Sequence, residues 1–236
     1  MTLQYEPQLL ADRALHADML EALRRGSAEI LSDSGGALLL KDRSWELYLL
    51  AAADPDEGKR LLASLGGPGG DSGPGDVVVR GEALAQYAET LGYRHTQPLV
   101  QVVYEQEAAP DVPRTLVIRH PDDADFEAVA RTYHIVDREQ LWENFHSGDF
   151  FGGYRDGAFV GYIGTHPEGS MGMLHVFAEY RRRGYAKELY AFQIGRQLRL
   201  GRIPYGQVFL DNAASLALQR RFGLTFARGP LYWMWK

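Results

Sequence analysis

The chain has 236 residues, 45% hydrophobic and 24% charged, with a net charge of −6 at neutral pH. That is enough apolar material for one large domain or two small ones, and the acidic balance argues against nucleic acid or an anionic membrane surface as a general partner. Disulfides, thiolate metal sites and cysteine nucleophiles are excluded because no cysteine is present. The start, Met-Thr-Leu-Gln-Tyr-Glu-Pro, lacks the basic-then-apolar pattern of a leader, and no window approaches the apolar length of a membrane span, so we expect a soluble, cytoplasmic protein.

Residues 8–25 place Leu9, Leu10, Leu15, Met19, Leu20 and Leu23 among charges and end at Arg25-Gly26, which predicts one amphipathic helix. Strands are expected at Ala28–Leu31, Gly36–Leu40 and Trp45–Ala51. Asp54 followed by Pro55 predicts a capped helix running to Leu65. Gly66–Gly75 is too rich in glycine for regular structure and reads as a connector. Within it Gly70-Asp71-Ser72-Gly73 resembles a serine-protease nucleophile motif, but no other part of a triad accompanies it. A strand at Asp76–Arg80, a helix at Glu82–Leu91 and a strand at Pro98–Tyr104 follow. This order echoes the end of the chain, so the N-terminal part reads as a candidate degenerate repeat of the C-terminal part. The polar, proline-punctuated stretch Glu105–Pro113 predicts two α/β domains, 1–108 and 114–236.

The second half reads as a strand at Thr115–Arg119, helices at 123–133 and 137–145, and a hairpin of 150–154 and 159–164 turned by Asp156-Gly157. A strand, Met171–Phe177, runs through Arg181-Arg-Arg-Gly-Tyr-Ala186 into a helix whose apolar face is Ala186, Leu189, Tyr190, Ile194 and Leu198. A strand at 207–210, a helix at 212–222 and a terminal strand close the chain. The basic turn is the informative stretch. The first N–H groups of a helix lack intrahelical partners and the peptide dipoles favour negative charge there, while three arginines add forked donors. An anion site is therefore expected at the turn, a phosphate above all.

Arg181-Arg-Arg-Gly184-Tyr-Ala186 resembles the Arg/Gln-x-x-Gly-x-Gly/Ala motif of the GNAT superfamily of N-acetyltransferases. Asn212, Ser215, Leu218 and Gly223 fall in register with that family's second segment, Asn-x-x-Ser-x-x-Leu-Tyr-x-x-x-Gly-Phe. Ala178–Gly184 and the tail Leu231–Trp235 look most like the glycine N-acyltransferase and FR47-like branch. The resemblance covers about residues 114 to 236 and implies a mixed central sheet flanked by helices. It also implies acetyl-CoA or another acyl-CoA as co-substrate, and transfer of the acyl group to a primary amine of a small molecule or amino acid. On this resemblance Arg181, Arg182, Arg183, Gly184, Tyr185 and Ala186 cradle the diphosphate, Leu174 N–H binds the thioester carbonyl, Val176 N–H binds the pantetheine arm, and Asn212 and Ser215 belong to the second motif.

Two expected catalytic positions depart from the family pattern. Ser170 stands where many relatives carry a basic glutamate, leaving Glu168 as the candidate base, with His166 and His175 as others. Gln219 stands in place of the family's tyrosine, and Tyr190, Tyr205 or Tyr232 are candidate substitutes. These departures favour, as the alternative, a catalytically silent acyl-CoA-binding regulatory module. No metal-ligand spacing appears among the seven histidines. The expected partner is a small-molecule amine, with no nucleic acid and no membrane, and a homodimer is compatible with the chain.

Overall fold

The computed structural model describes residues 3–65, 76–95 and 97–236, so the Gly70–Gly73 motif lies outside the described residues. The N-terminal run forms two helices instead of one, α1 (Glu6–Ala11) and α2 (Ala17–Arg25). Asp12 separates them: its φ is −139° and its carboxylate accepts the Leu15 N–H at 3.0 Å, the local bond by which Asp competes with helical backbone. The end of α2 at Gly26, in the left-handed region, is the one expected. β1 (Ala28–Asp33), β2 (Ala37–Asp42) and β3 (Leu47–Ala52) pair antiparallel. α3 (Pro55–Ser64) is capped by the Asp54 carboxylate, which accepts from the N–H groups of Asp56 and Glu57. It leads to β4 (Asp76–Arg80), parallel to β3. α4 (Glu82–Thr90), β5 (Arg94–His95) and β6 (Leu99–Val103) follow.

The middle of the chain contains β7 (Val117–Arg119), α5 (Phe126–Ala130), α6 (Arg138–His146), β8 (Phe150–Arg155), β9 (Ala158–Thr165), β10 (Met171–Val176) and α7 (Tyr185–Arg199). The last part contains β11 (Tyr205–Phe209), α8 (Ala213–Arg221), β12 (Thr225–Phe226) and β13 (Leu231–Trp235). Two compact units result. One holds the residues up to Tyr104 together with Tyr205–Lys236, and the other is Glu105–Pro204. The expected domain 114–236 is thus not one unit, because its last 32 residues pair with the N-terminal strands.

In the first unit the described residues form a mixed sheet in the order β1-β2-β3-β4-β13-β6-β11, with β12 added on β6 and β5 on β13. β13 runs antiparallel along β4 from Leu231↔Arg80 to Trp235↔Asp76, and β11 runs along β6 from Tyr205↔Val103 to Phe209↔Leu99. Apolar clusters cover both faces, Leu9, Met19, Leu38, Leu40 and Leu49 on one and Leu39, Leu50, Leu62, Val77 and Met234 on the other. A polar chain ties the elements together beneath α2. Arg80 pairs with Asp18 and donates to the carbonyls of Leu15 (3.1 Å) and Leu50 (3.0 Å), and Gln101 donates to Asp18 (3.2 Å). Gln207 donates to Gln101 (2.9 Å), and the Trp233 indole donates to Gln207 (2.6 Å).

The second unit is an antiparallel sheet, β10-β9-β8-β7. Its hairpin turn has positive φ at both Asp156 (50°) and Gly157 (81°), as a two-residue turn of the right twist requires. Phe126, Val129, Leu141, Phe145, Phe150, Tyr162 and Met173 form a core under α5 and α6. Among the described residues no helix is long and apolar enough to cross a membrane.

His16, 5% exposed, donates from Nδ1 to the Asp12 carbonyl (3.1 Å) and lies near Arg80. Burial, reinforced by the Arg80 charge, pushes its pKa from 6.5 down to about 4. A histidine depressed in the folded state is protonated first in the unfolded chain, so stability is intact above pH 6.5 and falls as the pH drops from 6.5 towards 4. The contribution to the slope approaches about 1.4 kcal/mol per pH unit. Denaturant titrations at several pH values should show His16→Gln losing this part of the slope; an unchanged slope would mean that His16 is not the group responsible.

Candidate active site

After β10 the chain makes a short 3-10 turn, Ala178–Tyr180, and Arg181 is extended (φ −64°, ψ 161°). Then φ turns positive at Arg182 (63°) and again at Gly184 (90°). Alternation of this kind turns successive N–H groups towards one concavity, a shape that binds anions. Among the described residues the N–H groups of 182 to 186 have no hydrogen-bond partner, while those of Lys187 and Glu188 both go to the Gly184 carbonyl (3.0 and 3.3 Å). No side chain caps α7, and residues 181–184 are exposed. Gly184 is needed for its conformation: a Cβ there would meet nothing within 4 Å, but φ of 90° strains any other residue.

The three arginines divide their roles. Arg181 donates from Nε to the Val176 carbonyl (3.0 Å), and Arg183 donates to the Glu179 carbonyl (3.1 Å) while lying over the Tyr180 ring. Both therefore fix the turn that carries them. Arg182 has no partner among the described residues and is exposed, so its guanidinium is available to a ligand. Tyr185 is buried at the start of α7 and anchors the helix, and Ala186 is partly buried behind it.

β10 forms one edge of its sheet. His175 pairs with Tyr162 and Val176 with Gly161, while the Phe177 N–H donates to the Val160 carbonyl (3.1 Å). Antiparallel pairs alternate, so His175 and Phe177 direct their main-chain groups to β9 and Val176 directs its own to the open edge. The bond from Arg181 to the Val176 carbonyl agrees. Two residues, Met173 and Leu174, stand opposite Ile163 alone and have no register partner; Met173 has φ of 51°. This bulge takes Leu174 out of the ladder. Gly161 lets the strands meet there, since a Cβ would lie 2.4 Å from the His175 carbonyl oxygen.

Several expected residues have surroundings that the sequence does not disclose. Glu168 is only 6% exposed, not open on its turn, and its carboxylate accepts the Ser170 hydroxyl hydrogen bond. The buried Tyr133 hydroxyl has no hydrogen-bond partner among the described residues, and its pKa is raised by burial first and by the Glu168 charge second. Asn212 accepts the Ser215 N–H (3.1 Å) as the cap of α8; both residues belong to the first unit, whereas the turn belongs to the second. Gln219, Tyr190, Tyr205 and Tyr232 are all buried. Beside β10 a groove of about 670 Å³ is lined by Glu127, Arg131, Phe159, His175, Phe177 and Arg181, among others.

Glu188 is the residue the sequence reading missed. It is 6% exposed, one turn into α7, and its carboxylate accepts from the N–H of Thr115 (2.6 Å), the Thr115 hydroxyl (2.8 Å) and the N–H of Leu116 (2.7 Å). These bonds pin the first turn of α7 to the chain entering β7. No local signal marks it, since it lies off the apolar face and its partners are 73 and 72 residues earlier in the chain.

Among the described residues, the unpaired amides of 182 to 186 and the unpartnered Arg182 guanidinium, beside an edge strand, make a surface suited to an anion such as a diphosphate. The chain is similar to several known proteins. Residues 117–224 match the model of the Acetyltransferase (GNAT) family. A solved Drosophila protein shares 16% identity at a TM-score of 0.64, over 98% of this chain and 86% of that one. A GNAT-family acetyltransferase of Novosphingobium aromaticivorans shares 20% at 0.53, over 96% and 98%. A GCN5-related N-acetyltransferase of Kribbella flavida shares 14% at 0.55, over 95% and 94%. No curated protein matches the chain. The match to the family model covers a little under half of the chain, and members of the matched family transfer acyl groups from acyl-CoA, a co-substrate that the residues at the turn fit.

Glu188→Gln should cost about 1 to 2 kcal/mol, since it removes the charge from two main-chain bonds to Oε1 and sets an amide NH₂ against the Thr115 hydroxyl. Chemical denaturation measures it; a loss below about 0.5 kcal/mol would show that the clamp contributes little.

Proposed function

We propose that the protein moves an acetyl or other short acyl group from acyl-CoA to the primary amine of a small molecule or amino acid. The observation that carries this is the row of unpaired N–H groups from 182 to 186 with the unpartnered Arg182 beside it. In this reading those amides and Arg182 hold the diphosphate, with Arg181 and Arg183 supplying charge from fixed positions. Val176 N–H receives the pantetheine arm, and Leu174 N–H receives the thioester carbonyl. A preorganised donor at that carbonyl typically contributes about 3 kcal/mol at the transition state. Asn212 and Ser215 enter through their match to the second family motif, and the glycine N-acyltransferase likeness supports an amino-acid-sized acceptor. Glu168, whose carboxylate holds the Ser170 hydroxyl, is the base that the sequence alone suggested, and nothing in its surroundings assigns it a step.

Purified protein given acetyl-CoA and a panel of small amines should release free thiol. Arg182→Ala should weaken CoA binding about tenfold, the equivalent of one charge-assisted bond. Combination with Gly184→Val, which forces a β-branched side chain into a left-handed position, should abolish binding and turnover together. Unchanged CoA affinity in the double variant would place the cradle elsewhere. Stabilisation by CoA, about 2.7 kcal/mol at a hundredfold excess over Kd, without turnover on any amine would favour the regulatory module instead.

A further inference from the structure

We infer that His175 is the catalytic base that takes the proton from the acceptor amine, an assignment that rests on the acyltransferase reading above. Three observations carry it. The imidazole lines the groove beside β10 and is half-buried there. Neither ring nitrogen has a hydrogen-bond partner among the described residues, whereas His16, His95, His120 and His146 are each bonded through the ring. And the residue stands on the bulged edge strand between Leu174 and Val176, the two positions whose N–H groups are proposed to receive the thioester and its arm. Tyr162 stacks against the ring at 5.5 Å and 16°, and Phe177 packs beside it at 5.6 Å, which fixes the plane of the imidazole.

The other charged and titratable groups of the groove are engaged or displaced. From the α5 side, the Asp125 carboxylate accepts from the Tyr154 hydroxyl and the Asp122 N–H, and Glu127 pairs with Arg138. Arg131, on the same side, is exposed. From the 3-10 turn, Glu179 and Arg181 are exposed at the rim and Tyr180 is half-buried. Tyr162, from β9, is fully buried and its hydroxyl is shared with Thr132. Glu168 does not line this groove. Burial lowers the His175 pKa below 6.5, and the Arg181 charge acts in the same direction, so the ring is neutral at pH 7 with a free lone pair.

The step balances without another reagent. A ring nitrogen of His175 accepts one proton from the amine, the amine nitrogen forms a bond to the thioester carbonyl carbon, and the carbon–sulfur bond breaks with its electron pair leaving on sulfur. The imidazolium then returns the proton to the thiolate, directly or through solvent.

Two measurements test this. The first is the pH profile of kcat/KM, where the wild type should show an acid limb with a midpoint below 6.5. His175→Gln should lose that limb and about 10² to 10⁴ in rate, with CoA-induced thermal stabilisation unchanged, whereas Glu168→Gln should keep the limb. The second needs no turnover: NMR titration of the His175 ring in the wild-type protein should give a midpoint below 6.5 that shifts when an acceptor amine is added. A limb that persists in His175→Gln, a limb that disappears in Glu168→Gln, or a ring that titrates at 6.5 or above would each overturn the assignment. Failure of the acyltransferase reading shows separately, as an absence of any CoA response in the wild type.

Discussion

The first N–H groups of a helix have no partner within it, and where the chain enters α7 those of 182 to 186 find none elsewhere among the described residues. The arrangement is tolerable because residues 181–184 are exposed, so water can reach the donors there that a ligand would claim. It remains ordered because the turn is held from below. Glu188 binds the first turn to Thr115 and Leu116, Tyr185 is buried under it, and Arg181 and Arg183 bond back to the carbonyls of Val176 and Glu179. Preorganised donors lose little conformational entropy on binding, so the framework under the turn matters to affinity as much as the donors do.

A second constraint acts on the larger sheet. In each of two passages, β4–α4–β6 and β11–α8–β13, the strand after the helix pairs with the first strand of the other passage: β13 lies on β4 and β6 lies on β11. Neither passage closes the sheet alone. The residues before Tyr104 leave a gap between β4 and β6 that only the last strand of the chain fills, which is why the C-terminal residues are part of the first unit. The buried chain from Arg80 through Asp18, Gln101 and Gln207 to Trp233 crosses the same junction, so its partners come from both ends of the sequence. Buried polar groups that can be satisfied in only one arrangement help to select that arrangement over a slipped one.

The contrast between these features marks what was legible beforehand. Punctuation carried by one or two residues was readable: Arg25-Gly26 ends α2, Asp54-Pro55 opens α3, Asp156-Gly157 turns the hairpin, and Gly184 opens α7. Strand partners were not, because pairing joins residues as distant as Asp76 and Trp235, and alternation in each strand is the same whichever neighbour it takes. The break at Asp12 was missed because the apolar spacing continues across it while a single carboxylate bonds locally. On α7 the apolar face was read correctly, but Glu188, Gln193 and Gln197 are buried as well, the two glutamines donating to the Thr165 hydroxyl. Buried polar positions of that kind depend on a partner far along the chain, and no local pattern reveals them. The base suffers from the same limit: Glu168 and His175 differ in what surrounds them, not in the residues beside them.

The turn and the groove are linked through Arg181. Its guanidinium is held against the Val176 carbonyl, one residue from His175, and its positive charge is one of the two reasons that the imidazole resists protonation. An anion on the amides of 182 to 186 would offset part of that charge. The proton affinity of His175 would then rise towards its ordinary value, and a base is most effective when its pKa lies near the working pH. On the proposed reading, an anion at the turn would therefore raise the proton affinity of His175 in the neighbouring groove. Arg181 would serve two purposes from one position, shaping the cradle through its bond and tuning the base through its field.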